Sequence, residues 1–229
     1  MGMDEMFGWK EKSPQIAHRS VERSGAFDGG LAAQTQGLMA GTRVASNLGW
    51  RSVEALAVGD TVLTFDHGMQ QIIEIRRRVV WIDAAQGRAG LPVVVPAGAL
   101  DNRTELTLLP DQGVLVDCDA AQDMYGDPFA VVPASALDGV RGIHRAAPFQ
   151  ELEIIAIYFA RDEVIYAEGG ALVHCPATTI ALDQFLAADA ATYDLLGTSD
   201  AAFIAECLMR EDQILASVGR VSGAAAAYC

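Results

Sequence analysis

From Thr42 to Gly169 the chain alternates short apolar runs with turn-forming residues. TRVAS (42–46), SVEAL (52–56), TVLTF (61–65), QIIEIRRRVVW (71–81) and PVVVP (92–96) are rich in β-branched side chains. ELTLLP (105–110), GVLVDC (113–118), FAVVP (129–133), FQELEIIAIYF (149–159) and DEVIYAEG (162–169) continue the pattern. Runs of this length and composition predict strands. Asn47-Leu48-Gly49, Val58-Gly59-Asp60 and Asp66-His67-Gly68 separate the first of them. The last is a natural hairpin turn, because glycine reaches positive φ and an aspartate side chain bonds nearby backbone N–H groups. Helical periodicity is scarce before residue 180, so the pattern predicts a mainly β core.

Both ends read differently. Residues 1–36 mix charge, glycine and glutamine with little periodicity, as an N-terminal arm or linker does. After Pro176, LDQFLAADAATYDLL (182–196) and SDAAFIAECLMREDQILASVG (199–219) predict two helices, punctuated by Gly197 and Gly219. In the second, Ser199 is the expected N-cap, and Phe203, Ile204, Cys207, Leu208, Leu215 and Val218 fall on or near one face. The expected organisation is an arm (1–36), a β domain (37–180), a helical extension packed on it (181–219) and a flexible tail (220–229), which has little to hold it unless another chain covers it.

Composition narrows the partners. The 229 residues are 51% hydrophobic, enough for a substantial core. Sixteen Lys and Arg against thirty Asp and Glu give a formal charge of −14, which argues against nucleic acid and anionic membrane. Arg76-Arg77-Arg78 is the one dense basic run and reads as the solvated end of a strand. Cys118, Cys175, Cys207 and Cys229 show no zinc spacing, so free thiols, no metal and no cofactor are expected. Asp117 and Asp119, two apart on an expected strand, would share a face as a solvated edge. His67 reads as a solvated turn residue, while His18 and His144 belong to no cluster. The first twelve residues lack a signal-peptide run and no apolar stretch reaches membrane-spanning length. The expected location is therefore cytoplasmic, with incorporation into a particle or signal-independent export as alternatives.

The stretch GLMAGTRVASNLGWRSVEALAVGDTVLTFDHGMQ (37–70) resembles the opening block of bacterial Hint (Hedgehog/intein) domains, through Gly41, Thr42, Val53, Glu54, Leu56, Gly59, Asp60, Val62, Thr64, Asp66 and Gly68. LLPDQGVLV (108–116) and DEVIYAEG (162–169) resemble two later blocks of the family more loosely. The resemblance spans residues 37 to 176. It implies a flattened, pseudo-symmetric assembly of curved antiparallel strands whose opening residue lies at a central cleft.

It also implies which chemistry to look for. Hint self-processing starts when the first residue, a Cys or Ser, attacks the carbonyl before it, so a nucleophile on that residue's own β-carbon is required. Counting back from Gly41-Thr42 places this position at Gly37, which has no side chain. A later His polarises or protonates the scissile amide nitrogen, and the matching residue is Gln112, which donates hydrogen bonds but does not exchange a proton as imidazole does. A third departure lies in the segment before Val164, where the family's His corresponds to Asp162. Val173-His174-Cys175 resembles an intein's carboxyl end without its Asn, and adjacent strand residues His174 and Cys175 would face opposite ways.

The reading that follows is a degenerate Hint-like domain, catalytically inactive, serving as a structural or protein-interaction module of a multi-subunit assembly such as a phage-like particle or cell-surface complex. The arm and the C-terminal helices would contact its protein partner. The competing enzyme reading is a self-cleaving domain with a displaced nucleophile, Thr35, Thr42 or Cys175. A third, a small-ligand or carbohydrate-binding β domain, rests on Trp50 and Trp81, although Trp in a β protein is usually core.

Overall fold

The computed structural model describes residues 36–82, 87–147, 151–177 and 193–225. The arm up to residue 35, most of the first expected helix and residues 226–229 lie outside them, with Trp9, His18, Thr35 and Cys229. Within them the chain is mainly β, as its alternating pattern requires.

One six-stranded sheet is built from β1 (Leu38–Met39), β6 (Glu74–Val80), β7 (Val93–Val95), β8 (Leu106–Leu108), β11 (His144–Arg145) and β12 (Leu152–Tyr158), in the order β11-β7-β8-β1-β12-β6. The second contains β2 (Arg43–Ser46), β3 (Gly49–Ser52), β4 (Thr61–Thr64), β5 (Gly68–Gln71), β9 (Gly113–Asp117), β10 (Phe129–Pro133), β13 (Glu163–Ala167) and β14 (Ala171–Cys175), in the order β10-β9-β14-β13-β2-β4-β5 with β3 beside β2. The named strands pair antiparallel. Leu38 lies between Ile155 of β12 and Leu108 of β8, so the residue before β1 enters the middle of a sheet. Leu38, Val44, Val53, Leu106, Ile155 and Ile165 belong to one buried cluster joining both sheets.

Several expectations change. SVEAL is not a strand: GWRS takes the pairing with RVAS, and Val53–Ala55 forms a 3-10 turn in which Val53 is buried and donates to the Thr42 carbonyl at 2.8 Å. QIIEIRRRVVW divides at Ile72-Ile73, where fully buried Ile72 anchors the turn from β5 into β6. A short helix, α1 (Asp119–Tyr125), follows β9, stopped by left-handed Gly126. Asp117 therefore ends a strand while Asp119 begins a helix, and the expected shared strand face does not exist.

The arginine run stands on β6 at the edge of its sheet. Arg76 lies over the Tyr158 ring at 4.8 Å, Arg77 donates to the Glu54 carbonyl at 2.6 Å, and Arg78 donates to the Gln36 carbonyl at 3.3 Å. Trp50 and Trp81 are exposed, not core.

The C-terminal helix α2 (Thr198–Ala225) runs through Gly219 and starts one residue before Ser199, which lies in its first turn instead of capping it. Ala201, Ile204, Ala205 and Leu208 are buried, whereas Phe203 and Leu215 are exposed. Among the described side chains the packed face runs from Ala201 to Leu208, with half-buried Cys207 and Met209 beside it, against Ala134–Leu137 and β10.

Candidate functional site

Gly37 is held where a side chain has no space. Its φ is +141°, and a Cβ built there lies 2.6 Å from Ile154 Cγ2 and 3.3 Å from the Ile155 carbonyl oxygen. The cause is its place in the sheet: β12 runs alongside β1 and presses its side chains against the preceding residue.

Gln112 fills the other side. It sits at the turn between β8 and β9, where its backbone N–H donates to the Leu109 carbonyl and its own carbonyl accepts from Ala134 N–H. Its side chain is buried. Oε1 accepts from Gly37 N–H at 2.7 Å, while Nε2 donates to the His174 carbonyl at 2.7 Å and to that of Gly113 at 3.2 Å. The amide thus bridges the start of β1 to the end of β14. Gln36, Gly37, Gln112, His174 and Cys175 line one small space of about 10 Å³, room for no more than one water.

Resemblance pointed to Gly37, Gln112 and His174-Cys175, and the structure brings these residues together. Asp162 does not line that space: its Oδ1 accepts from Ala177 N–H at 2.6 Å and ties down the chain leaving β14. The His174 and Cys175 side chains diverge, as strand alternation demands. The His174 ring packs edge-on to Tyr193, with centroids 6.0 Å apart, and neither ring nitrogen has a hydrogen-bond partner among the described residues. Burial pushes its pKa below the ordinary histidine value, against a smaller opposite pull from Asp162. Cys175 points into the core, where burial and then the charge of Glu163 push its thiol far above the usual range. Thr42 is also buried. Burial of this kind favours the protonated thiol over the nucleophilic thiolate.

His67 is more than a solvated turn residue. Its Nδ1 lies 3.0 Å from Oε2 of Glu163, a carboxylate with no exposed surface and cross-strand partner of Cys175. Sequence reading passed over Glu163; the signal was a lone acid opening an otherwise apolar strand. The His144 side chain bonds within its own turn, with Nδ1 3.0 Å from the Gly142 carbonyl oxygen. Among the described residues no group of three or more His, Cys, Asp or Glu is arranged to hold a metal ion, and no helix is long and apolar enough to cross a membrane.

The Hint domain model matches residues 36–172, more than half of the chain. Among solved structures, the chain is similar to the splice-inactive AceL NrdHF class 3 split intein, at 14% identity over 62% of this chain and 99% of that one, with a TM-score of 0.41. The bacterial intein-like domain from Clostridium thermocellum gives 12%, 61%, 98% and 0.40, and the gp41-1 intein 15%, 60%, 97% and 0.39. No curated protein matches the chain.

Proposed function

The chain belongs to the Hint domain family, and we propose that it is a member whose self-processing chemistry is silent and whose fold is kept as a structural or protein-interaction module. The observation that carries this reading is the cleft itself. Position 37 has neither a nucleophile nor the space for one, since its Cβ would overlap Ile154. An acyl shift onto the first residue then has no acceptor atom.

Gln112 supports the same reading. A general acid at this place would give a proton to the departing amine, but the Gln112 oxygen instead accepts the Gly37 N–H, and its nitrogen is bonded to the His174 carbonyl. The amide acts as a brace across the cleft. Exposed partner-facing surface remains on α2, where Phe203, Ile214 and Leu215 stand out from the body.

The test is intact mass of the freshly purified full chain, followed for days with and without hydroxylamine. One full-length species is expected throughout. A fragment beginning at Gly37 sinks the proposal.

One observation favours self-cleavage at a displaced site: Gln112 Nε2 donates to the carbonyl that precedes Cys175, where it would stabilise an oxyanion if the thiol attacked. The buried, protonated thiol opposes this. A break before residue 175 that disappears in Cys175→Ala would establish it.

A further inference from the structure

The buried His174 imidazole packs on the side of the second sheet opposite the Cys175 thiol, as strand alternation places it. Its cross-strand neighbours are Val164 on β13 and Gly113 on β9, and the glycine makes the space for the ring. A Cβ built on Gly113 would stand 2.9 Å from His174 Cβ and 3.3 Å from Nδ1. β14 is paired along both edges, with β9 and β13, so the ring is closed from below by the sheet. Among the described residues, what lies over it is the segment Tyr193–Leu196, which leads through Gly197 into α2.

Few bonds hold that segment. Tyr193 stands edge-on to the imidazole and its hydroxyl donates to the Asp66 carboxylate. Leu195 bridges Val131, and Leu196 N–H donates to the Val131 carbonyl at 2.9 Å. The Tyr193 ring also packs against the cluster of Leu115, Val131 and Val164.

Neither nitrogen of the ring has a hydrogen-bond partner among the described residues. A neutral imidazole bears this at modest cost, but an imidazolium brings two N–H donors and a charge that need partners or water. The titratable groups toward it among the described residues are Asp162, whose Oδ1 is already bonded to Ala177 N–H, the Tyr193 phenol, and Asp66 behind that phenol. Glu163 and Cys175 lie on the other face of their strands. Water reaches the ring by one of two routes. Parting β14 from its neighbours breaks the ladders of an interior strand, whereas lifting the segment breaks one backbone bond and the Tyr193–Asp66 bond.

We infer that protonation of His174 releases Tyr193–Leu196 from the second sheet and uncovers the apolar surface of Leu115, Val131 and Val164, while the sheet itself stays paired. The closed form is complete above the ordinary histidine range and is lost as the pH falls through it, because the open form binds the proton more readily. Acid thus lifts a cover from an apolar face of the domain.

Hydrogen exchange of the full chain between pH 7.5 and 5.5, with the chemical rate at each pH divided out, reads the segment through Leu196 N–H. Its protection should fall by about fivefold or more at pH 5.5, and by no more than about tenfold per pH unit, since one proton is taken up. Amides of β9, β13 and β14 should keep theirs. Tyr193→Phe removes the bond to Asp66 and should move the release to higher pH, because opening is then cheaper. His174→Gln and His174→Leu should each remove the pH dependence, read on whichever keeps the wild-type far-UV circular dichroism; Tyr193→Phe, which leaves the imidazole in place, carries the test if neither does. Flat protection at Leu196, a fall that β9, β13 and β14 share, a fall that persists in a folded His174 variant, or a Tyr193→Phe release at unchanged pH overturns the proposal. These readouts are independent of the intact-mass test of self-cleavage.

Discussion

Replacing Gly37 by cysteine returns the thiol that self-processing requires, yet the fold should reject it. A non-glycine residue at φ +141° carries backbone strain of about 1–3 kcal/mol. Forcing its Cβ to within 2.6 Å of Ile154 Cγ2 adds overpacking of about 1–3 kcal/mol. The combined loss of roughly 2–6 kcal/mol is a large part of the ~5–15 kcal/mol that holds a domain together. Gly41→Ala isolates the first contribution, because Gly41 also has positive φ, at +92°, but nothing lies within 4 Å of a Cβ there. Urea unfolding of wild type, Gly37→Cys, Gly41→Ala and Gly37→Cys with Ile154→Ala measures each. Gly37→Cys should be the less stable of the two glycine variants, and the Ile154 change should cost less in its presence than alone. It should also remain uncleaved by intact mass, with or without Gln112→His. A Gly37→Cys chain as stable as wild type, or one that breaks before residue 37, refutes the reasoning.

Gln112→Ala leaves the Gly37 N–H and the His174 carbonyl buried without a partner, and should cost about 2–4 kcal/mol in urea unfolding. His174 has a folded pKa lowered by burial, so the unfolded chain binds its proton more readily and stability falls with acidification below about pH 6.5. His174→Phe should flatten that slope in thermal melts taken between pH 7.5 and 5; an unchanged slope counts against the burial account. His67→Ala removes the neighbour bonded to Glu163 Oε2 and should destabilise by about 1–3 kcal/mol, with Glu163→Gln recovering part of the loss in the double variant. The Cys175 thiol should resist iodoacetamide in the native chain and react at least about a thousandfold faster in urea, as peptide mass mapping would show.

What was legible in the sequence followed from local rules. Gly68 at positive φ closes the β4–β5 hairpin, and Val53 stays buried although its segment is a 3-10 turn and not a strand. Asp117 and Asp119 were misjudged because the switch from strand to helix at Cys118 depends on packing against α2, where Glu211 bonds Asp119 N–H. The half-exposed His67 looked free because its partner Glu163 lies 96 residues away. On α2, helical spacing put Phe203 and Leu215 on the packed face, but both are exposed, while Ala201, Ile204, Ala205 and Leu208 are buried with Cys207 and Met209 packed beside them, because no local rule says where a neighbouring surface ends.

The sequence alone determined the strand-rich core, because alternation and turn residues act within a few positions, and the absence of a nucleophile at Gly37, because that is a matter of composition. Only the tertiary structure decided that position 37 has no space for one. That exclusion comes from Ile154, 117 residues further along the chain and brought to Gly37 by the pairing of β1 with β12. Sterics at a point in space depend on which strands are neighbours, a relation that a one-dimensional pattern does not contain.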